Sequence, residues 1–158
     1  MYGIYKGKKY RVAKISTFYR VISREKEEGF EEYIDIVGKK RPDIFVKDVD
    51  IHELDYLYEV KYEFLYRGHY FKALSTMIRK LIDKDYFEIS AGIEKYDLIE
   101  KLGFKRLDEL TWWKDIRRKD IEALKIVEEP LGIFKDQGLK IKILEGKAID
   151  EFLASVKD

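Results

Sequence analysis

Residues 5–13 read YKGKKYRVA, and residues 66–74 read YRGHYFKAL, 61 positions later. Aligned without gaps, Tyr5/Tyr66, Lys6/Arg67, Gly7/Gly68, Tyr10/Phe71, Arg11/Lys72 and Val12/Ala73 match in kind. Two further blocks return in the same order. Gly29-Phe30-Glu31 corresponds to Gly103-Phe104-Lys105, and Phe45-Val46-Lys47-Asp48-Val49 corresponds to Trp112-Trp113-Lys114-Asp115-Ile116. Asp50-Ile51 and Leu54 then correspond to Asp120-Ile121 and Leu124. Blocks that recur in one order point to an internal duplication, so one small plan is expected twice in this chain.

Each copy reads as short strands. Tyr2–Tyr5 leads into a turn at Lys6-Gly7-Lys8, where glycine supplies the backbone freedom of a tight hairpin. Tyr10 and Val12 alternate with charged neighbours, which is the period of a half-buried strand. Phe18–Ser23, Phe30–Ile36 and Ile44–Lys47 follow as strands, with Glu25–Glu28 as a turn or a single helical turn. Gly38 and Pro42 mark the loop between the last two, and Asp50 caps one helical turn ending at Leu54. The second copy runs through strands at Tyr56–Tyr66, Tyr70–Ser75, Tyr86–Ile89, Phe104–Leu107 and Leu110–Lys114. It adds a two-turn helix over 94–102 closed by Gly103, and a helical turn at Asp120–Leu124.

The pattern predicts a mainly β protein with minor α, in the α+β class. Short curled strands ending in one helical turn resemble the SH3-like small-barrel plan. The expected organisation is a first SH3-like repeat over 1–56 and a second over 57–126 with an inserted helix. A C-terminal extension over 127–158, a strand at 139–144 and a helix over 147–158, packs on the repeats. A barrel of roughly 60 residues buries only about 60% of its unfolded surface. The two halves are therefore expected to pack together.

Charge and composition remove several function classes. Lys and Arg number 32 against 31 Asp and Glu, a net charge of +1, whereas a dedicated nucleic-acid binder carries a basic excess. No cysteine is present, which removes disulfides, thiolate metal sites and cysteine nucleophiles and fits a reducing, cytoplasmic setting. No apolar run approaches the length of a membrane span, and no signal peptide is read. There is no P-loop, no GxGxxG, no GxSxG and no HExxH. We therefore read a binding protein and not an enzyme, with no cofactor and no metal.

The candidate binding residues follow from charge and aromatic content. Residues 1–24 carry seven Lys and Arg and no acid, whereas residues 25–35 carry six acids against Lys26 alone. Glu27, Glu28, Glu31 and Glu32 form the centre of that acidic block. It can steer a basic partner, or it can be neutralised by cross-strand pairs. Trp112 and Trp113 are adjacent on a strand, so one is expected to enter the core and the other to face outward. Tyr70 belongs to the second basic hairpin, Arg67–Lys72, beside Phe71. His69 lies in a turn and His52 on a helical turn. Both are general-base candidates only for an enzyme with no recognised motif, and both are more simply solvated histidines.

The pattern "YKGKKYRV … GF … FVKDVDIHEL", with its second version "YRGHYFKAL … IEKLGF … WWKDIRRKDIEAL", resembles small bacterial immunity proteins of polymorphic toxin systems. The resemblance is one of general style, spans residues 1–125 and transfers no specific residue. It implies a cytoplasmic antidote that binds a cognate toxin domain and occludes its active site. The alternative is a tandem SH3-like module that binds nucleic acid or a peptide through Lys6–Arg11 and Arg67–Lys72, with Tyr10, Tyr70 and Phe71. No membrane partner is expected.

Overall fold

The computed structural model describes residues 1–75 and 77–157. The chain is mainly antiparallel β with a few short helices, an α+β protein. It divides into two compact units: Met1–Val60 with Glu128–Leu139, and Lys61–Val127 with Lys140–Asp158. No helix among the described residues is long and apolar enough to cross a membrane.

In the first unit, β1 (Tyr2–Tyr5), β2 (Lys8–Ile15), β3 (Phe18–Ser23), β4 (Glu31–Ile34) and β5 (Lys40–Val49) precede a 3-10 turn at Ile51–Glu53. β6 (Tyr56–Tyr66) follows, and its first residues pair with β1. The strand order is β4-β5-β3-β2-β1-β6. The core holds Tyr5, Tyr10, Val12, Val21, Val49, Leu54 and Leu57. On β2 the buried Tyr10 and Val12 alternate with the exposed Lys9 and Arg11, as a sheet with one buried face requires. Met1, Phe30, Leu131 and Phe134 pack against them.

The second unit begins within β6 and continues through β7 (His69–Ala73), α1 (Arg79–Asp83) and β8 (Phe87–Gly92). A 3-10 turn at Ile93–Lys95 runs into α2 (Tyr96–Lys101). Then come β9 (Lys105–Arg106), β10 (Thr111–Ile116), a 3-10 turn at Arg118–Asp120 and β11 (Ala123–Pro130). After a 3-10 segment at Gly132–Gln137, β12 (Lys140–Leu144) and α3 (Lys147–Ser155) end the chain. The core contains Phe64, Tyr66, Phe71, Phe87, Ile89, Ile116, Ile121 and Leu124, and α3 adds Ile149 and Leu153. The Arg79 guanidinium donates to the Leu153 and Val156 carbonyls at 2.7 and 3.3 Å and so satisfies the end of α3.

The matched blocks of the sequence have matched geometry in the two units. Lys6-Gly7 and Arg67-Gly68 have φ values of +47 and +77° in one turn and +50 and +78° in the other. Two successive positive φ values define a type I′ hairpin, and glycine reaches the second of them without backbone strain. The Gly7 N–H donates to Asp55 Oδ2 at 3.1 Å, and the Gly68 N–H donates to Glu122 Oε1 at 3.1 Å. Tyr5 and Tyr10 lie 6.4 Å apart at 60°, and Tyr66 and Phe71 lie 6.4 Å apart at 57°. Phe30 packs on Tyr10 as Phe104 packs on Phe71. Gly29 and Gly103 both take positive φ, with the ammonium groups of Lys47 and Lys114 beside them.

Several sequence boundaries move. The helical turn expected at Asp120–Leu124 lies at Arg118–Asp120, and Ala123–Pro130 is strand. The correspondence therefore continues from Val49/Ile116 without insertion, so that Leu54 matches Ile121, both buried. The Glu53 carboxylate accepts the Asp50 N–H at 2.7 Å, and the Asp120 carboxylate accepts the Arg117 N–H at 2.9 Å. Pro42 is not in a loop. It lies in β5, between the Arg41 and Phe45 pairings, where the ladder to β4 shifts register. Residues 127–158 are divided between the two units. α1 was not foreseen, because Ile78 at its start gives no side-chain cap.

Candidate protein-binding surface

The acidic block spans the β3–β4 loop and β4, and part of its charge is engaged within the first unit. The Glu27 carboxylate accepts hydrogen bonds from Lys8 Nζ and Tyr10 OH, and Ser23 Oγ lies at 3.5 Å. The Lys8 bond, followed by the Tyr10 bond, holds the Glu27 carboxyl below the usual carboxylate range. Burial, then the bond to Glu27, pushes the Tyr10 phenol up to about 12. Glu27 therefore ties the loop to β2 and has little capacity left for a partner. Lys40 Nζ lies 4.0 Å from Glu32. Glu28 and Glu31 are exposed and form no ion pair among the described residues. Glu28 lines a depression floored by Tyr5, Tyr10 and Phe30 and edged by Lys6 and Lys47. Glu31 and Glu32 line a second one with Arg20, Tyr33 and Asp48.

Beyond these carboxylates stands a feature that charge reading did not reveal. The β4–β5 turn presents Ile36 and Val37 to solvent, 101% and 81% exposed. The turn is firmly built. Asp35 Oδ1 accepts the N–H groups of Val37 at 3.1 Å and Lys39 at 2.9 Å. Gly38, with φ +81°, donates to the Asp35 carbonyl at 2.9 Å, and Arg41 Nε lies 3.4 Å from the other carboxylate oxygen. The signal was an Asp followed by Gly three positions later, an Asx-type turn enclosing two aliphatic residues.

The second unit bears a turn of similar construction between β9 and β10. Asp108 Oδ1 accepts the Leu110 N–H at 2.9 Å, and that bond draws the Asp108 carboxyl below its ordinary value. Leu107 and Leu110 on either side are more than half exposed. Trp112 and Trp113 follow on β10, and both are half-buried. Trp112 packs against the core and meets Tyr96 edge-on at 6.0 Å. Trp113, on the opposite face of the strand, has Lys105 Nζ 5.6 Å from its ring. Tyr70 is half-buried beneath Lys125 Nζ at 4.1 Å, and its carbonyl accepts from Lys95 Nζ at 2.6 Å.

Thus Glu27, Glu28, Glu31 and Glu32 gather on one edge of the first unit, while Tyr70, Trp112 and Trp113 belong to the second. His52 and His69 are exposed on separate elements. No group of three or more His, Asp or Glu among the described residues is arranged to hold a metal ion.

A family model described as "Uncharacterised conserved protein UCP033725" matches residues 1–131. No curated protein and no solved structure matches the chain.

Proposed function

For a chain that belongs to the family of uncharacterised conserved proteins UCP033725, we propose the role of a protein-binding module built from two copies of an SH3-like small-barrel plan. Its partner is a bacterial toxin domain, which it neutralises as an immunity protein by covering the active site. The toxin assignment rests on the sequence resemblance over residues 1–125. The binding assignment rests on one observation: Ile36 and Val37 stand fully in solvent on a turn that Asp35 holds rigid. Soluble proteins keep exposed apolar clusters small, and one held in a fixed conformation binds without a large ordering cost. Burying an Ile or Val side chain is worth about 1.5–3 kcal/mol. Exposed Glu28 and Glu31 add a charged rim suited to a basic partner.

The test is co-expression with a toxin domain encoded beside the gene for this chain. A stoichiometric complex that survives nuclease treatment and restores growth is the expected outcome. Ile36→Asp with Val37→Asp is expected to weaken the complex by at least tenfold at unchanged melting temperature. Equal affinity of that double variant would remove the turn from the interface. Absence of a complex and of rescue would remove the toxin as partner.

A further inference from the structure

We propose that the outer face of the first unit binds a phosphate group between Lys9 and Arg11. The two side chains stand on the same side of β2, two positions apart, or ~6.8 Å along the strand. Tyr2, opposite Arg11 in the ladder, lies beneath both. Lys9 Nζ is 4.5 Å from the Tyr2 ring centre, and the Arg11 guanidinium carbon is 5.5 Å from it. Tyr2 is stacked in turn on Tyr58 at 5.8 Å, and Tyr58 on Tyr56 at 5.1 Å. The cations are thus positioned by rings, and a ring leaves their charge unneutralised. Neither Lys9 nor Arg11 forms an ion pair among the described residues, in a chain with 31 acids.

The matching face of the second unit shows the neutralised version. Glu63 pairs with Lys72 across the ladder as Tyr2 pairs with Arg11. Lys125 lies over Tyr70 at 4.1 Å and within 3.8 Å of the Glu63 carboxylate. There a carboxylate completes the cation–ring cluster. In the first unit a tyrosine occupies its position, and two positive charges remain open side by side. A carboxylate ligand would neutralise one of them. A phosphate dianion, or two successive phosphodiesters, neutralises both and matches the unengaged guanidinium fork.

The test uses the full chain labelled with ¹⁵N, titrated at fixed ionic strength with inorganic phosphate. A second arm uses a single-stranded RNA of about 12 nucleotides, within the range of known single-strand site sizes. Saturable amide shifts are expected at Tyr2, Tyr58 and residues 9–11. Lys9→Gln and Arg11→Gln each weaken them by roughly fivefold or more, whereas Lys125→Gln leaves them unchanged. Arg11→Lys keeps the charge and loses the fork, so it retains an intermediate affinity. If the RNA binds much more tightly than phosphate, its affinity falls with salt with a log–log slope of about −1.4, from ~0.7 for each of two neutralised phosphates. That result identifies nucleic acid as the source of the phosphate. Equal binding in the two arms identifies a free phosphate or phosphomonoester. No saturable shift in either arm, or shifts that persist in the Lys9→Gln/Arg11→Gln double variant, overturns the proposal.

Discussion

Glu27 shows how one residue can change meaning between sequence and structure. In the sequence it belongs to a run of acids. In the folded chain it is the acceptor for Lys8 and Tyr10, which lie 19 and 17 positions away. Its carboxyl is held below the ordinary value near 4.5, chiefly by the Lys8 bond. A depressed carboxyl pKa contributes stability that is in full force above that ordinary value and fades as pH falls through the lowered one. Glu27→Gln should therefore be less stable than the wild type at pH 7 in urea unfolding. The gap should close as the pH falls well below 4.5. Tyr10 works in the opposite direction. Burial and Glu27 raise its phenol to about 12, so its contribution is complete below pH 10 and lost as pH rises toward that value. In an alkaline absorbance titration, Tyr10→Phe should remove the component that ionises near 12 and lower stability by about 1 kcal/mol, the usual worth of one hydrogen bond. Gly7 and Gly68 offer a paired test at the same scale. A Cβ at either site meets nothing within 4 Å, so only backbone conformation is at stake. Gly7→Ala and Gly68→Ala should each cost roughly 1–2 kcal/mol, and the two values should agree. Unequal losses would mean that the two turns are supported differently.

At the scale of elements, the β4–β5 turn has a stiffness that can be measured. Asp35→Ala removes the acceptor for two backbone N–H groups and the partner of Arg41. Amide exchange at Val37 and Lys39 should rise by at least tenfold while the melting temperature moves little, because the turn lies outside the core. If the turn binds as proposed, the same variant should lose affinity through lost preorganisation although no contact residue has changed. Strands with clean alternation were legible in the sequence. Tyr2–Tyr5, Phe18–Ser23 and Tyr56–Tyr66 have the bounds that their patterns imply. β11 was not legible: its ALKIVEEP run ends in two acids and a proline, and a three-residue slip in the repeat placed a helical turn there. The binding surface was legible only in part. Charge blocks reveal acids but not their distant partners, so Glu27 looked available and is not. The pattern makes Ile36 the last residue of a strand, but it stands in solvent, because the Asp35 carboxylate turns the chain one residue earlier.

At the scale of the whole chain, one sequence plan supports two cores of unequal size. Among the described residues the first is built from seven buried residues and the second from twelve, and the larger one includes Ile149 and Leu153 from α3. Matched positions contribute alike to both cores, and the second gains Phe64, Phe87, Ala91, Ile99, Ile149 and Leu153 beyond them. At the matched positions the first unit has Tyr10 and Val21 where the second has Phe71 and the larger Ile89. A phenol in the core must keep a partner for its hydroxyl, which Tyr10 finds in Glu27, whereas Phe71 carries no such condition. Apolar burial stabilises by about 25 cal/mol per Å², so the second unit should resist local opening more strongly. Native-state hydrogen exchange should give greater protection to the amides of Phe71, Ile89 and Leu124 than to those of Tyr10, Val21 and Leu57. Truncation sharpens the contrast. Phe71→Ala should cost about 3–5 kcal/mol, and its effect on protection should fall first on the second unit. If Tyr10, Val21 and Leu57 exchange as slowly as their counterparts, stability is shared evenly, and the doubling of the plan has produced two equal modules. If they exchange faster, the first unit is the more readily opened one. That unit also bears the braced turn and the uncompensated Lys9–Arg11 face, the two surfaces proposed to bind.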